Sequence, residues 1–356
     1  MGLLLTGCVI YCVWLYFTGK ILTMHATKPP LLLVVSFDGF RWDYLDMVKE
    51  AGRKTPIFDS LIGNGVKAKW LRNSYVTLTL PNHYSIATGL YEENHGVVSN
   101  QMYDPVFNAT FTAKRDQLVD SRWWNNGSSS WLGQPVWLAN QQKSSHHSGV
   151  YFWAGSEASI KGQRARYYER YNWSVSYTKR VDTVVKWFVH DQDPINFGML
   201  YFEDPDFTGH RVGPESLEMI ERILELDEIL SYIVDSIKEG GLFSDMNLIV
   251  TSDHGMSRIL DTVYLDDYVP RNVSYFAHGR PPVLHLLPAN GNQLMELYHS
   301  VQQVPHVHAY LKDEIPKSYH YHDNRRILDI IVEADEGYLV CKNKSSCLKQ
   351  SKNSKC

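Results

Sequence analysis

The segments "INFGMLYF" (195–202), "ESLEMIERILELDEILSYIVDSIKEGG" (215–241) and "NLIVTS" (247–252) follow one another, and their patterns decide the fold. The outer two are short, continuous apolar runs, as strands buried on both faces are. Between them Ile220, Ile223, Leu224, Leu230, Ile233, Val234 and Ile237 recur at helical spacing, and Gly240–Gly241 close the pattern. Strand, helix, strand predicts a βαβ unit whose strands point the same way. "LLLVVSF" (31–37) reads as a third buried strand, and "TPIFDSLIGNG" (55–65) as a short helix with Thr55 as cap and Pro56 at its first position. The expected class is α/β, a mostly parallel central sheet flanked by helices. Residues 105–175 are rich in Trp, Ser, Asn and Tyr with weak periodicity, which predicts an inserted lobe over the sheet.

The 356 residues, 44% of them apolar, suffice for one large α/β domain or two modest ones. The net charge is −4 with Lys and Arg scattered, so no nucleic-acid-binding groove is expected. "LLLTGCVIYCVWLYF" (3–17) is uncharged and apolar. It is short for a membrane span, which needs about 20 residues, and fits the apolar core of a signal peptide. No basic segment precedes it, so residues 1–26 are a signal peptide or an uncleaved signal anchor, the latter giving membrane attachment. "MGLLLT" fits a loose myristoylation pattern, but the apolar run behind it favours export. N-x-S/T acceptors at Asn108, Asn126, Asn172, Asn272 and Asn343 agree with an extracellular chain, secreted or cell-surface. The cysteines are Cys8, Cys12, Cys341, Cys347 and Cys356. The body between them is therefore held by its core, and a metal there would need Asp and His ligands. A single catalytic-domain-sized body over 29–340 precedes a polar, basic stretch, 341–356, that predicts a divergent, disordered tail.

Each buried strand runs into acidic or imidazole side chains: Asp38 in "FDGF", Asp206 and His210 in "EDPDFTGH", Asp253 and His254 in "SDHGM". Singly, each Asp reads as a cap or turn residue. Together, at the carboxyl ends of parallel strands where α/β sheets bind ligands, they suit zinc or a similar cation. Five donors exceed one four-coordinate zinc, so a two-metal site is the natural reading. In "VTLTLPNHYS" (76–85) a cation would activate a hydroxyl. Thr79, just before a helix expected from Pro81, is the better nucleophile, because the free N–H groups of a helix start attract an oxyanion. Thr77 reads as a strand threonine.

"LLLVVSFDGFRWDYL", "TLPNHYSIATGLYEENHGVVSNQMYDP", "YFEDPDFTGHRVGPES", "NLIVTSDHGM" and "ADEGY" resemble, in order, segments of the ectonucleotide pyrophosphatase/phosphodiesterase family of the alkaline-phosphatase superfamily. The resemblance implies an alkaline-phosphatase-like fold and an enzyme that hydrolyses phosphodiester or pyrophosphate bonds through a covalent intermediate on Thr79. It implies two zinc ions, one held by Asp38, Thr79, Asp253 and His254, the other by Asp206 and His210. Asn100 would donate to the phosphoryl oxygen, and Tyr171 would stack a nucleobase. Leu80 stands where many nucleotide-cleaving relatives carry an aromatic, which leaves a choline-phospholipid headgroup as an alternative small-molecule substrate. The family's H-G-[YF]-D-N segment and late His are not matched after Val340, so the second zinc site is expected to be incomplete and turnover low. His320 and His322 are the nearby candidates to substitute. Sulfatases share the fold but need C-x-P-x-R or its Ser equivalent, which is missing here. A phosphomonoesterase with the same metals and a secreted binding protein with a defunct site are the competing readings.

Overall fold

The computed structural model describes residues 29–125 and 133–347; the N-terminal apolar segment, Asn126 and residues 348–356 lie outside them. In chain order the elements used below are β1 (Leu31–Phe37), α1 (Tyr44–Glu50), α2 (Pro56–Asn64), α3 (Thr79–Thr88), β2 (Met102–Asp104), β3 (Ala109–Phe111), β4 (Ser148–Tyr151) and β5 (Tyr167–Glu169). There follow α4 (Tyr177–Phe188), β6 (Phe197–Phe202), α5 (Asp206–Val212), α6 (Leu217–Glu239), β7 (Met246–Thr251) and β8 (Asp261–Tyr264). The last are β9 (Tyr275–Arg280), β10 (Val283–Pro288), β11 (Val307–Leu311), β12 (Ile330–Ala334) and β13 (Tyr338–Cys341).

The central sheet has the order β5-β4-β6-β1-β7, with every pair parallel. The βαβ unit β6–α6–β7 is present, and its crossover spans β1, which lies between its two strands. Alternate β1 residues face opposite layers. Leu33, Val35 and Phe37 pack with α4 and α6 residues such as Val184, Ile223 and Leu230. Val34 faces Tyr84 of α3 and the buried Trp124, Trp137 and Trp153. A second, antiparallel sheet, β11-β12-β10-β9, was not foreseen and adds Val283 and Ile331 to that layer.

Four local expectations change. Residues 105–175 are not wholly an inserted lobe, because β4 and β5 complete the edge of the central sheet. The β4 run is only four residues and includes Gly149, so it leaves no apolar signature. The glycine is required by packing, since a Cβ there would come within 2.6 Å of Trp187. Thr77 is exposed and lies in no strand, while the helix begins at Thr79 rather than Pro81. Thr55 precedes α2 but makes no side-chain cap; Asp227 of α6 accepts from the amides of Ile57 (3.1 Å) and Phe58 (2.9 Å) instead. Finally, the stretch expected to be a disordered tail is folded through Cys347. Cys341 is buried in β13, which pairs with β8, and is joined to Cys347 by a disulfide. Among the described residues no helix is long and apolar enough to cross a membrane.

Candidate active site

The loops after β1, β6 and β7 are stitched together through backbone amides. Asp38 N–H donates to Phe202 O, Asp206 N–H to Asp38 O, and Gly39 N–H to Asp253 Oδ1, at 2.9–3.1 Å. Gly39 has φ +68°, and a Cβ there would meet the Asp206 Cβ at 2.8 Å, so only glycine lets these loops approach so closely. The result brings the strand-end side chains together. Ligand atoms of Asp38, Asp253 and His254 all lie within 4.8 Å of one another. His254 Nε2 is 3.1 Å from Asp253 Oδ2 and 3.6 Å from Asp38 Oδ1, and Thr79 Oγ1 lies 3.4 Å from the same nitrogen. Asp206 and His210 face each other one turn apart on α5, at 3.4 Å, with His210 exposed.

The electrostatics ask for cations. Burial, with Asp253 and Asp206 nearby, holds the Asp38 carboxyl well above the usual range, and burial also raises Asp206. Burial pushes Asp253 up too, but His254 and His83 outweigh it and hold this carboxyl well below its ordinary value. Burial opposes the charge on His254, yet Asp253 and Asp206 raise its pKa. Asp38 Oδ1 and Asp206 Oδ1 are buried without a hydrogen bond, and Asp253 Oδ2 has only the imidazoles of His254 and His83 beside it. Orphaned carboxylate oxygens are expensive unless a cation supplies the missing partner. The Asp38 and Asp253 carboxylates with the His254 imidazole and the Thr79 hydroxyl fit a hard or borderline divalent ion, zinc included, whereas Asp206 and His210 pair with each other outside that group.

Three side chains that hold this cluster were missed in the sequence. His83, fully buried, places Nε2 2.9 Å from Ser36 Oγ and Nδ1 2.9 Å from Thr79 O and 3.2 Å from Asp253 Oδ2. Its only signal was its place four residues after Thr79, one helical turn. Tyr201 donates to Asp38 Oδ2 at 2.6 Å. Asn82 donates to Val76 O (2.7 Å) and Leu78 O (2.9 Å) and accepts from Ser74 N–H and Oγ, latching the loop that delivers Thr79.

The other candidates are placed as follows. Asn100 accepts the Leu80 N–H at 2.9 Å, which leaves its NH2 as the donor beside the start of α3. That contact and Pro81 remove two of the first amides from the helix start, so its N-terminus is a weaker anion site than expected. Leu80 is half-buried against the Tyr84 and Trp153 core. Tyr171 is half-buried, with Phe152 at 5.3 Å and Tyr201 at 6.4 Å between ring centres. His320 stacks on Tyr91, and His322 is 3.5 Å from Asp313; neither joins the ligand cluster. Asn108, Asn172 and Asn272 are exposed, whereas Asn343 is half-buried with Nδ2 bonded to Asp266.

Residues 32–354 match the family model "Type I phosphodiesterase / nucleotide pyrophosphatase". The chain belongs to this family. It is 39% identical over 317 residues to human ectonucleotide pyrophosphatase/phosphodiesterase family member 5, covering 88% of this chain and 63% of that relative. It is 37% identical to the human bis(5′-adenosyl)-triphosphatase of the family, covering 92% of this chain and 70% of the relative. The structure of murine family member 5 superposes with a TM-score of 0.81 at 40% identity, covering 89% of this chain and 82% of that one. An inactive form of the murine protein in complex with AMP gives 0.82. The α/β fold with a mostly parallel central sheet is thus the fold of this family.

Proposed function

We propose that this protein is an extracellular, metal-dependent phosphodiesterase and nucleotide pyrophosphatase with Thr79 as nucleophile. The observation that carries the reading is Thr79 Oγ1 beside a cluster of buried carboxylates with orphaned oxygens. Asp38, Asp253, His254 and Thr79 would hold one zinc, and Asp206 and His210 the other. With two protein donors against four, the second ion is the more weakly held. The ions, when bound, would lower the pKa of the Thr79 hydroxyl and offset charge on the phosphoryl oxygens.

The rest of the chemistry belongs to the chain. Thr79 Oγ1 gives up its proton to water and attacks phosphorus. The Oγ1–P bond forms, and the bond to the departing oxygen breaks, its electron pair leaving with that oxygen, which takes a proton from water. The Asn100 NH2 donates to the phosphoryl oxygen as charge develops. Water then attacks the phosphorus of the phosphothreonine, delivers its proton to Thr79 Oγ1 and releases the phosphate monoester. His83 and Asn82 hold the Thr79 carbonyl and the loop before it, so the hydroxyl needs little reorganisation. AMP bound to a 40%-identical relative supports a nucleotide over a phospholipid headgroup. The exposed acceptors Asn108, Asn172 and Asn272, behind the apolar 3–17 segment, support export.

The test is hydrolysis of an aryl ester of a nucleotide by purified protein, with choline-phosphate esters alongside. Chelation should abolish turnover and zinc should restore it. Thr79→Ala should lower turnover by several orders of magnitude with zinc still bound, and Thr77→Ala should be mild. Turnover that survives exhaustive metal removal, or the reverse ranking of the two threonines, refutes the mechanism; faster cleavage of the choline ester reassigns the substrate.

A further inference from the structure

Residues 65–72, "GVKAKWLR", run exposed between α2 and the loop that delivers Thr79. Within them Trp70 is 53% exposed and meets Trp42, 56% exposed, edge-on with ring centres 6.2 Å apart. Lys69 Nζ sits 4.6 Å from the centre of the Trp70 ring. Among the described residues Lys67, Lys69 and Arg72 enter no ion pair. A lone exposed apolar residue needs no explanation, but two indoles in contact, interleaved with unpaired cations, form a recognition surface.

Its position ties it to the chemistry. Trp42 lies four residues past Asp38, so their Cα atoms are at most about 14 Å apart. Arg41, between them, packs against Gly255, next to His254, and donates to Met256 O. A groove of about 610 Å³ runs from Arg41 and Trp42 to Ser257 and Arg258. Three acidic groups line it: Asp43 and Glu215 are both paired with Arg41, and Glu336 accepts from Ser257 Oγ at 3.3 Å. Base–aromatic stacking and cation–phosphate contact are the two interactions this surface offers, and a nucleoside phosphate uses both.

We propose that Trp42 and Trp70, with Lys67, Lys69 and Arg72, form a subsite for the departing half of the substrate, a phosphate-bearing aromatic group. The subsite rests on the phosphodiesterase reading above. It makes the protein select esters whose leaving group carries both a ring and a negative charge. All five side chains project from the surface, so substituting them leaves the core intact.

Calorimetry of the zinc-loaded Thr79→Ala protein tests this with two probes, bis(5′-adenosyl) triphosphate and AMP. Adding Trp42→Ala and Trp70→Ala should weaken the longer ligand about tenfold more than AMP, as the loss of one stacked base implies. Lys67→Gln, Lys69→Gln and Arg72→Gln together should weaken the longer ligand selectively, and that difference should shrink as salt is raised. Equal loss for both probes, or none, overturns the subsite alone. Binding of neither probe by the Thr79→Ala parent overturns the phosphodiesterase reading with it. Anionic lipid vesicles released by the tryptophan substitutions, with nucleotide affinity unchanged, replace the subsite by a membrane-docking surface.

Discussion

Glu92 is fully buried, and its Oε1 lies 2.5 Å from Ser74 Oγ while its Oε2 has no hydrogen-bond partner. Burial pushes its pKa from 4.5 to about 7. In the unfolded chain the carboxyl loses its proton near the ordinary value. The folded protein therefore binds more protons between these two values, and stability falls as pH rises through that window, then levels off above about 7. The rise from 4.5 to about 7 corresponds to roughly 3 kcal/mol, most of it lost between pH 5 and pH 8. Glu92→Gln keeps the shape and the acceptor for Ser74 but cannot ionise. Its unpaired amide carries the same cost at every pH, so it cancels from the difference between two pH values. The melting temperature of the variant relative to the unmodified protein should rise by roughly 5 °C from pH 5 to pH 8. Every other titrating group is common to both proteins. An offset that is the same at both pH values would mean that Glu92 is already ionised in the fold, and the argument would fail. Because Ser74 and Asn82 link Glu92 to the loop before Thr79, the same variant should hold that loop better at alkaline pH.

Asp227→Ala removes the acceptor for the Ile57 and Phe58 amides at the start of α2, and should cost about 1–2 kcal/mol in denaturant unfolding. A cost no greater than that of a surface substitution would show that water replaces the cap. Leu80→Phe should raise nucleotide hydrolysis relative to that of a choline-phosphate ester, since base stacking is worth about 1–3 kcal/mol; an unchanged ratio would exclude this position as a base platform.

The ends of β1 and β6 were legible because parallel strands buried on both faces read as unbroken apolar runs. β7 carries a similar run although it is the sheet's edge strand with Ile249 exposed, not the buried strand expected. An acidic residue within four positions of each strand end is a position rather than a propensity. Asp38, Asp206 and Asp253 could be found in this way. The short β4 could not, because a four-residue run containing Gly149 carries no period to detect. The second sheet escaped for a related reason. Polar or small residues, His278 and Gly279 in β9 and His285 in β10, interrupt its strands, and His285 is buried only because Tyr321 and the Arg326 carbonyl take up its ring nitrogens. That compensation comes from more than thirty residues away.

The start of α3 shows the same limit at the site itself. "TLT" (77–79) alternates like a strand, and Pro81 looked like the first helical position. In the fold Asn82, already inside the helix, reaches back to the carbonyls of Val76 and Leu78, which turns the chain before Thr79 and makes it the first helical residue. One turn on, His83 contacts both the Thr79 carbonyl and Asp253. Ser36, on β1 two residues before Asp38, contacts the other nitrogen of that ring. The proposed nucleophile, the Asp253 carboxylate and β1 are thus referenced to one buried imidazole. Ligands can be recognised by type, since few residues bind metal, but a Ser, an Asn and a His that set their spacing look ordinary until the turn of α3 and the edge of β1 are brought together.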